Sequence, residues 1–149
     1  MRAVVQRVAR ARVTVDDRVT GEINRGLLVY LGVGAGDDER GAAYLVEKVA
    51  TLRVFEDDRG RMSLDVAAVG GAVLVVPQFT LYGDVRNGRR PDFTAAMEPV
   101  GANALYERVV ALLRGRGLTV ATGEFRAHMM VDSVNDGPVT LLVDGARQF

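Results

Sequence analysis

Two uninterrupted apolar runs constrain this chain most: Gly26-Leu27-Leu28-Val29-Tyr30-Leu31-Gly32-Val33 and Ala72-Val73-Leu74-Val75-Val76. A strand with one wet face alternates apolar and polar residues, whereas a run without polar positions predicts a strand buried on both faces. Such strands need cover above and below. The longest apolar stretches, Leu27–Leu31 and Ala72–Pro77, are also far too short for a membrane-spanning helix, which takes about 20 residues.

The cover is visible in the flanking segments. Asp37 and Asp38 offer a helix start, because carboxylates complement the free N–H groups of a first turn. Leu45, Val49 and Leu52 then follow as one apolar stripe. A second helix is expected over residues 102–116, with Leu105, Val109, Leu112 and Leu113 on one face and Gly115 and Gly117 ending it. Strands are expected over Ala3–Val8, Arg12–Val15, Val19–Ile23 and Arg53–Phe55, the last running into the turn Asp57-Asp58-Arg59-Gly60. The tail adds Leu118–Thr122, Met129–Val134 and Val139–Val143. No repeat or linker divides the chain, and 149 residues suit one domain. The expectation is a single α/β domain over 1–149, in three layers: two β layers, with two helices covering one sheet face.

Composition removes whole classes of chemistry. With no cysteine, thiol nucleophiles, redox pairs and thiolate zinc sites are excluded. The only histidine, His128, alternates with apolar neighbours as a strand residue does, and a lone histidine argues against a transition-metal site. No metal or cofactor is expected. The only serines, Ser63 and Ser133, lie in no Gly-X-Ser-X-Gly elbow. Gly32-Val33-Gly34-Ala35-Gly36 is not a dinucleotide loop, since Asp37 and Asp38 stand where pyrophosphate would sit, and it reads as a strand-to-helix turn. Nineteen basic and nineteen acidic residues cancel, so any affinity for nucleic acid must be local. The N-terminus has no apolar core followed by a cleavage site, so a soluble cytoplasmic protein is expected.

Three segments remain. Arg86-Asn87-Gly88-Arg89-Arg90-Pro91 is the densest cationic stretch, read first as a solvated loop and second as a phosphate contact. Pro77-Gln78-Phe79-Thr80-Leu81 ends the second apolar run, where α/β sheets expose functional groups. Asn135-Asp136-Gly137-Pro138-Val139-Thr140 reads first as a hairpin turn. Its Gly-Pro bond is also a place where a cis peptide is affordable, and two carbonyls held side by side would make a receptor for an ammonium group.

Almost end to end, the chain resembles the D-aminoacyl-tRNA deacylases. The resemblance rests on Met1–Val8, Gly26–Gly34, Leu52–Asp57, Gln78–Leu81, Gly88–Pro91 and, most specifically, Asn135–Thr140. It implies a homodimeric cytoplasmic hydrolase that frees D-amino acids from aminoacyl-tRNA, with active sites at the subunit interface. Gly137 and Pro138 match the Gly-cis-Pro pair that reaches into the partner's pocket and leaves no room for an L side chain. Arg7 matches the arginine bracing that pair, and Thr140 supports its loop. Gln78, Phe79 and Thr80 would receive the terminal adenosine and the scissile carbonyl, with Thr80 and Gln78 at the catalytic centre. Met129 matches a pocket-lining position. Pro77 departs from the pattern, which usually has serine there. A related animal branch that removes L-alanine from tRNA resembles this chain in that proline but typically lacks the phenylalanine kept here as Phe79. Arg126 and His128 stand where smaller or acidic residues are expected. The alternatives are a deacylase relaxed towards L-alanyl-tRNA and a catalytically silent tRNA-end binding module.

Overall fold

In a computed structural model describing residues 1–149, the two apolar runs become adjacent strands. They are β3 (Gly26–Gly32) and β6 (Ala72–Pro77), paired in parallel from Gly26↔Ala72 to Leu31↔Pro77. Leu27, Val29, Leu31, Val73 and Val75 turn one way, into a core shared with helices α1 (Glu39–Thr51) and α2 (Pro99–Gly115). Leu28, Leu74 and Val76 turn the other way, into a second core with Val8, Ala11, Val13 and Ile23. Both faces are therefore covered, the helices lying on one of them.

The second cover is the sheet itself. Strand order is β2-β1-β3-β6-β7, with β8 added on β1, where β1 is Arg2–Val15, β2 is Arg18–Ile23, β7 is Thr119–Thr122 and β8 is Met130–Asp144. The far half of β1 and all of β2 curl back over β3 and β6. A side chain at Gly21 of β2 would collide with the backbone of Thr122 in β7. The two β layers are thus leaves of one bent sheet, and a separate two-stranded sheet joins β4 (Phe55–Glu56) to β5 (Met62–Leu64).

β1 is one strand of 14 residues rather than the two expected. Ala3 and Val5 face the helix-side core and Ala11 and Val13 the other. Register shifts between Gln6 and Val8 and between Val8 and Arg10 carry the strand from one layer to the next. Such bulges re-aim a strand and break its alternation, which makes the sequence read as two pieces.

Both helices are capped by carboxylates. Asp38 accepts the N–H groups of Arg40 (3.0 Å) and Gly41 (3.1 Å), as expected of the α1 start. α2 begins at Pro99 instead of 102, because Glu98 accepts the N–H groups of Val100 (2.9 Å) and Gly101 (2.5 Å). Tyr106 is buried on α2, while Leu105 and Leu112 are only half-buried. β4 starts at Phe55 rather than Arg53. No helix is long and apolar enough to cross a membrane.

The largest correction lies in the tail. Residues 130–144 are not two strands joined by a hairpin turn: both parts run antiparallel to β1 in one direction, from Thr14↔Met130 to Arg2↔Asp144. The step from Gln6 to Val8 on β1 is matched by the step from Thr140 to Asn135 on β8. Residues between Asn135 and Thr140 are squeezed out as a bulge.

Candidate active site

The end of β6 is shaped by what its neighbours lack. After Pro77 the chain makes a short 3-10 turn over Phe79–Tyr82, tied to β3 by the Gln78 N–H donating to Leu31 (2.8 Å). A Cβ at Gly32 would lie 2.9 Å from the Gln78 carbonyl, and one at Gly34 would lie 2.5 Å from the Tyr82 ring. These glycines seat the turn. The Tyr82 hydroxyl donates to Asp37 (3.0 Å), and burial together with the Asp37 charge pushes the phenol's pKa up, keeping it a neutral donor.

Gln78, Phe79 and Thr80 are presented outwards on this turn. The Gln78 amide donates to the Thr80 hydroxyl oxygen, leaving the Thr80 proton free to point elsewhere. The N–H groups of Phe79 and Thr80 begin the turn, where no intrahelical acceptor exists. Phe79 is 59% exposed and meets Phe93 edge-on at 5.0 Å. Pro77, Gln78 and Phe79 line a cleft of about 340 Å³ with Met97, Tyr106 and Arg126. Tyr106 forms its inner wall with the neighbouring ring of Phe125, and its hydroxyl donates to the Val75 carbonyl (2.9 Å). Neither aromatic stood out in the sequence, since Tyr106 carries the ordinary spacing of a core stripe.

Met129 packs behind the same strand end. Gly123 separates it from Pro77: a Cβ there would lie 2.8 Å from the Met129 sulfur and 3.2 Å from the Pro77 ring. Arg126 is exposed in the left-handed region (φ 64°), and His128 is exposed nearby on the chain.

The bulge of β8 forms a second group. The Gly137–Pro138 bond is cis, and both residues are exposed. Arg7, only 7% exposed, donates through Nε to the Asp136 carbonyl (3.0 Å) and through Nη1 to the Val54 carbonyl (2.6 Å). A Cβ on Gly137, whose φ is 134°, would lie 3.1 Å from the Arg7 guanidinium and 2.9 Å from Val139. Thr140 closes the loop, its hydroxyl accepting from Asn135 (3.0 Å) and Gln6 (3.2 Å). Asn135 also accepts the Val139 N–H (3.1 Å), a bracing role its side chain alone did not announce.

These two groups do not meet within one chain. Arg2, at the start of β1, touches the 3-10 turn through Leu81 and Tyr82. Arg7 at the bulge lies further along β1, roughly 16 Å at the usual rise per residue. Neither Gly137 nor Pro138 lines the cleft, and no hydrogen bond joins them to Gln78, Phe79 or Thr80. No group of three or more His, Asp or Glu side chains is gathered to hold a metal ion.

Comparison with known proteins matches residues 4–144 to the family described as D-Tyr-tRNA(Tyr) deacylase. The chain belongs to this family. A D-aminoacyl-tRNA deacylase of Koribacter versatilis is 59% identical over all of both chains. One from Anaeromyxobacter dehalogenans is 60% identical over 149 residues, again all of both chains. Among solved structures, a c-Myc DNA unwinding element binding protein matches with TM-score 0.90 and 40% identity, covering 97% of this chain and 98% of that one. A second, described as a probable eukaryotic D-amino acid tRNA deacylase, matches with TM-score 0.83 over 96% of this chain and 98% of that one. At 20% identity it shows the deacylase fold alone.

Proposed function

We propose that this protein is a cytoplasmic D-aminoacyl-tRNA deacylase acting in translation quality control, working as a homodimer whose active sites each combine two chains. The observation that carries the reading is the separation of the two groups. The Arg7-braced Gly137–Pro138 bulge is exposed and lines no part of the Gln78–Phe79 cleft, and a second copy of the chain would complete each cleft with the other's bulge. The outward face of β8 supports this, since Met130, Val134 and Leu142 are 66%, 41% and 63% exposed there. They share that face with the exposed Arg10–Asp132 ion pair, a mix of apolar and charged groups that a partner chain can cover.

The chemistry asks little of the protein. An aminoacyl ester is already reactive, so positioning water and stabilising the oxyanion suffices. The terminal adenosine sits against Phe79, and the N–H groups of Phe79 and Thr80 hold the developing oxyanion. Water adds to the ester carbonyl, assisted by the substrate's own 2′-hydroxyl, and the ester C–O bond breaks. The 3′-oxygen leaves with a proton, giving free amino acid and tRNA. Thr80 and Gln78 position these reacting groups, and Met129 lines the pocket. The Gly137 and Pro138 carbonyls hold the substrate ammonium and block an L side chain, so chirality is selected by exclusion. Glycine, with no side chain to exclude, is also cleaved. Pro77 supplies neither hydroxyl nor N–H, so no serine-dependent step operates at that position.

The test is loss of D-tyrosyl-tRNA at substoichiometric protein, beside the L-tyrosyl and L-alanyl esters and a Thr80→Ala control. Multiple turnovers on the D-ester alone, reduced in Thr80→Ala, are expected. Preference for L-alanyl-tRNA would transfer the protein to the L-alanine branch that Pro77 suggests. Binding without turnover would leave a tRNA-end binding module.

A further inference from the structure

Most of the eighteen arginines are engaged within the chain. Eight stand in ion pairs. Arg2 and Arg114 donate to carbonyls, and Arg25 and Arg147 lie over aromatic rings. Only Arg40, Arg53, Arg59, Arg89, Arg90 and Arg126 have neither an acceptor nor a ring for their guanidinium. Half of these lie on the cleft wall or on the loop after its 3-10 turn: Arg126 lines the cleft with Phe79, and Arg89 and Arg90 stand on that loop.

That loop is held firmly at its base. Asp84 and Asp92 exchange backbone hydrogen bonds of 2.8 and 2.9 Å, and Phe93 immediately beyond packs on Phe79. Arg86 folds onto the Asp84 carboxylate (2.6 Å), whose pKa it lowers to about 2, and the Asp92 carboxylate accepts the Thr94 N–H (2.7 Å). Both carboxylates of the base are therefore occupied, and neither folds Arg89 or Arg90 down. Arg90 is three residues from Phe93, a span of at most about 11 Å. Two exposed arginines are thus carried on a loop whose base packs against the cleft residue Phe79, in a chain whose net charge is zero.

We propose that Arg89 and Arg90 clamp the phosphodiester backbone of the tRNA strand running out of the cleft, next to the aminoacylated 3′ end. This rests on the deacylase reading of the same site. Guanidinium forks match phosphate oxygens, and such contacts hold position without reading sequence, which suits an enzyme meeting many tRNAs. With no whole-molecule field to attract RNA, this local pair supplies the electrostatic part of binding.

The experiment compares wild-type protein with Arg89→Ala/Arg90→Ala on D-tyrosyl-tRNA and on D-tyrosyl-adenosine, across a salt series. On the tRNA ester, kcat/KM is expected to fall roughly tenfold at low salt, mainly through KM, with the log–log salt slope shallower by about 1–2. The adenosine ester, which has no phosphodiester to grip, should respond little to the variant or to salt. Lysine at both positions should restore most of the salt slope, because the charges return without the forks. Equal loss on both esters would overturn the clamp, since the loop would then act through Phe79. Unchanged constants and slope on the tRNA ester would overturn it as well. Wild-type protein cleaving neither ester would remove the deacylase reading and the clamp together, a result separable from every variant outcome.

Discussion

Arg7 carries the only buried guanidinium, and both of its carbonyl partners depend on it. Arg7→Ala leaves the carbonyls of Val54 and Asp136 without this donor, and the lost charged hydrogen bonds should cost about 2–4 kcal/mol of stability. Urea unfolding measures the cost, and turnover of the D-ester should fall with it, because the Gly137–Pro138 bulge loses its brace. Arg7→Lys restores one charge but not the fork, so part of the stability should return without the activity. Wild-type turnover in Arg7→Ala would show that the bulge needs no brace. Part of this is legible in the sequence. Arg7 continues the inward series Ala3, Val5, and a charge in that series announces a special role. Its partners lie 47 and 129 residues away in sequence, so only the family resemblance linked Arg7 to Gly137 and Pro138.

At the scale of elements, the sequence was clearest where one periodicity ran unbroken. β3 and β6 followed from apolar runs, and α1 from its stripe and from Asp38. Legibility failed where tertiary packing overrides a local signal. The squeezed-out residues of β8 include Asp136-Gly137-Pro138, a turn-forming composition, yet continuous pairing with β1 makes them a bulge. The 3-10 turn after Pro77 has no stripe, and it is set by Gly32 at the end of β3 and by Gly34 just beyond it. The start of α2 is hidden in the sequence because Glu98 is an uncommon cap and Pro99-Val100-Gly101 carries no helical pattern. Proline at the first helical position and a carboxylate before it are nevertheless consistent with helix-start physics. Glu98→Ala should therefore lower stability by about 1 kcal/mol, as loss of an N-cap does. Denaturant midpoints at pH 7 would measure it. No change would mean that the Val100 and Gly101 N–H groups find water as readily as the carboxylate.

At the scale of the whole molecule, the proposed site joins two groups that do not meet within one chain, and no pattern within a single sequence says what stands opposite each. Subunit exchange can reveal it. Thr80→Ala damages the cleft, whereas a Gly137→Ala/Pro138→Ala variant damages the bulge. Each homodimer should be nearly inactive on D-tyrosyl-tRNA, with circular dichroism and gel filtration verifying that both fold and pair. Mixed in equal amounts and allowed to exchange, half of the dimers would become heterodimers. In a two-fold dimer with shared sites, each heterodimer has one site made of two damaged halves and one made of two intact halves, so activity should recover to about a quarter of wild type per chain. A mixture no more active than its components, despite verified exchange, would mean that each chain carries out the reaction alone. The bulge would then act within its own protomer, across the distance that separates it from Thr80, and the composite site would be abandoned.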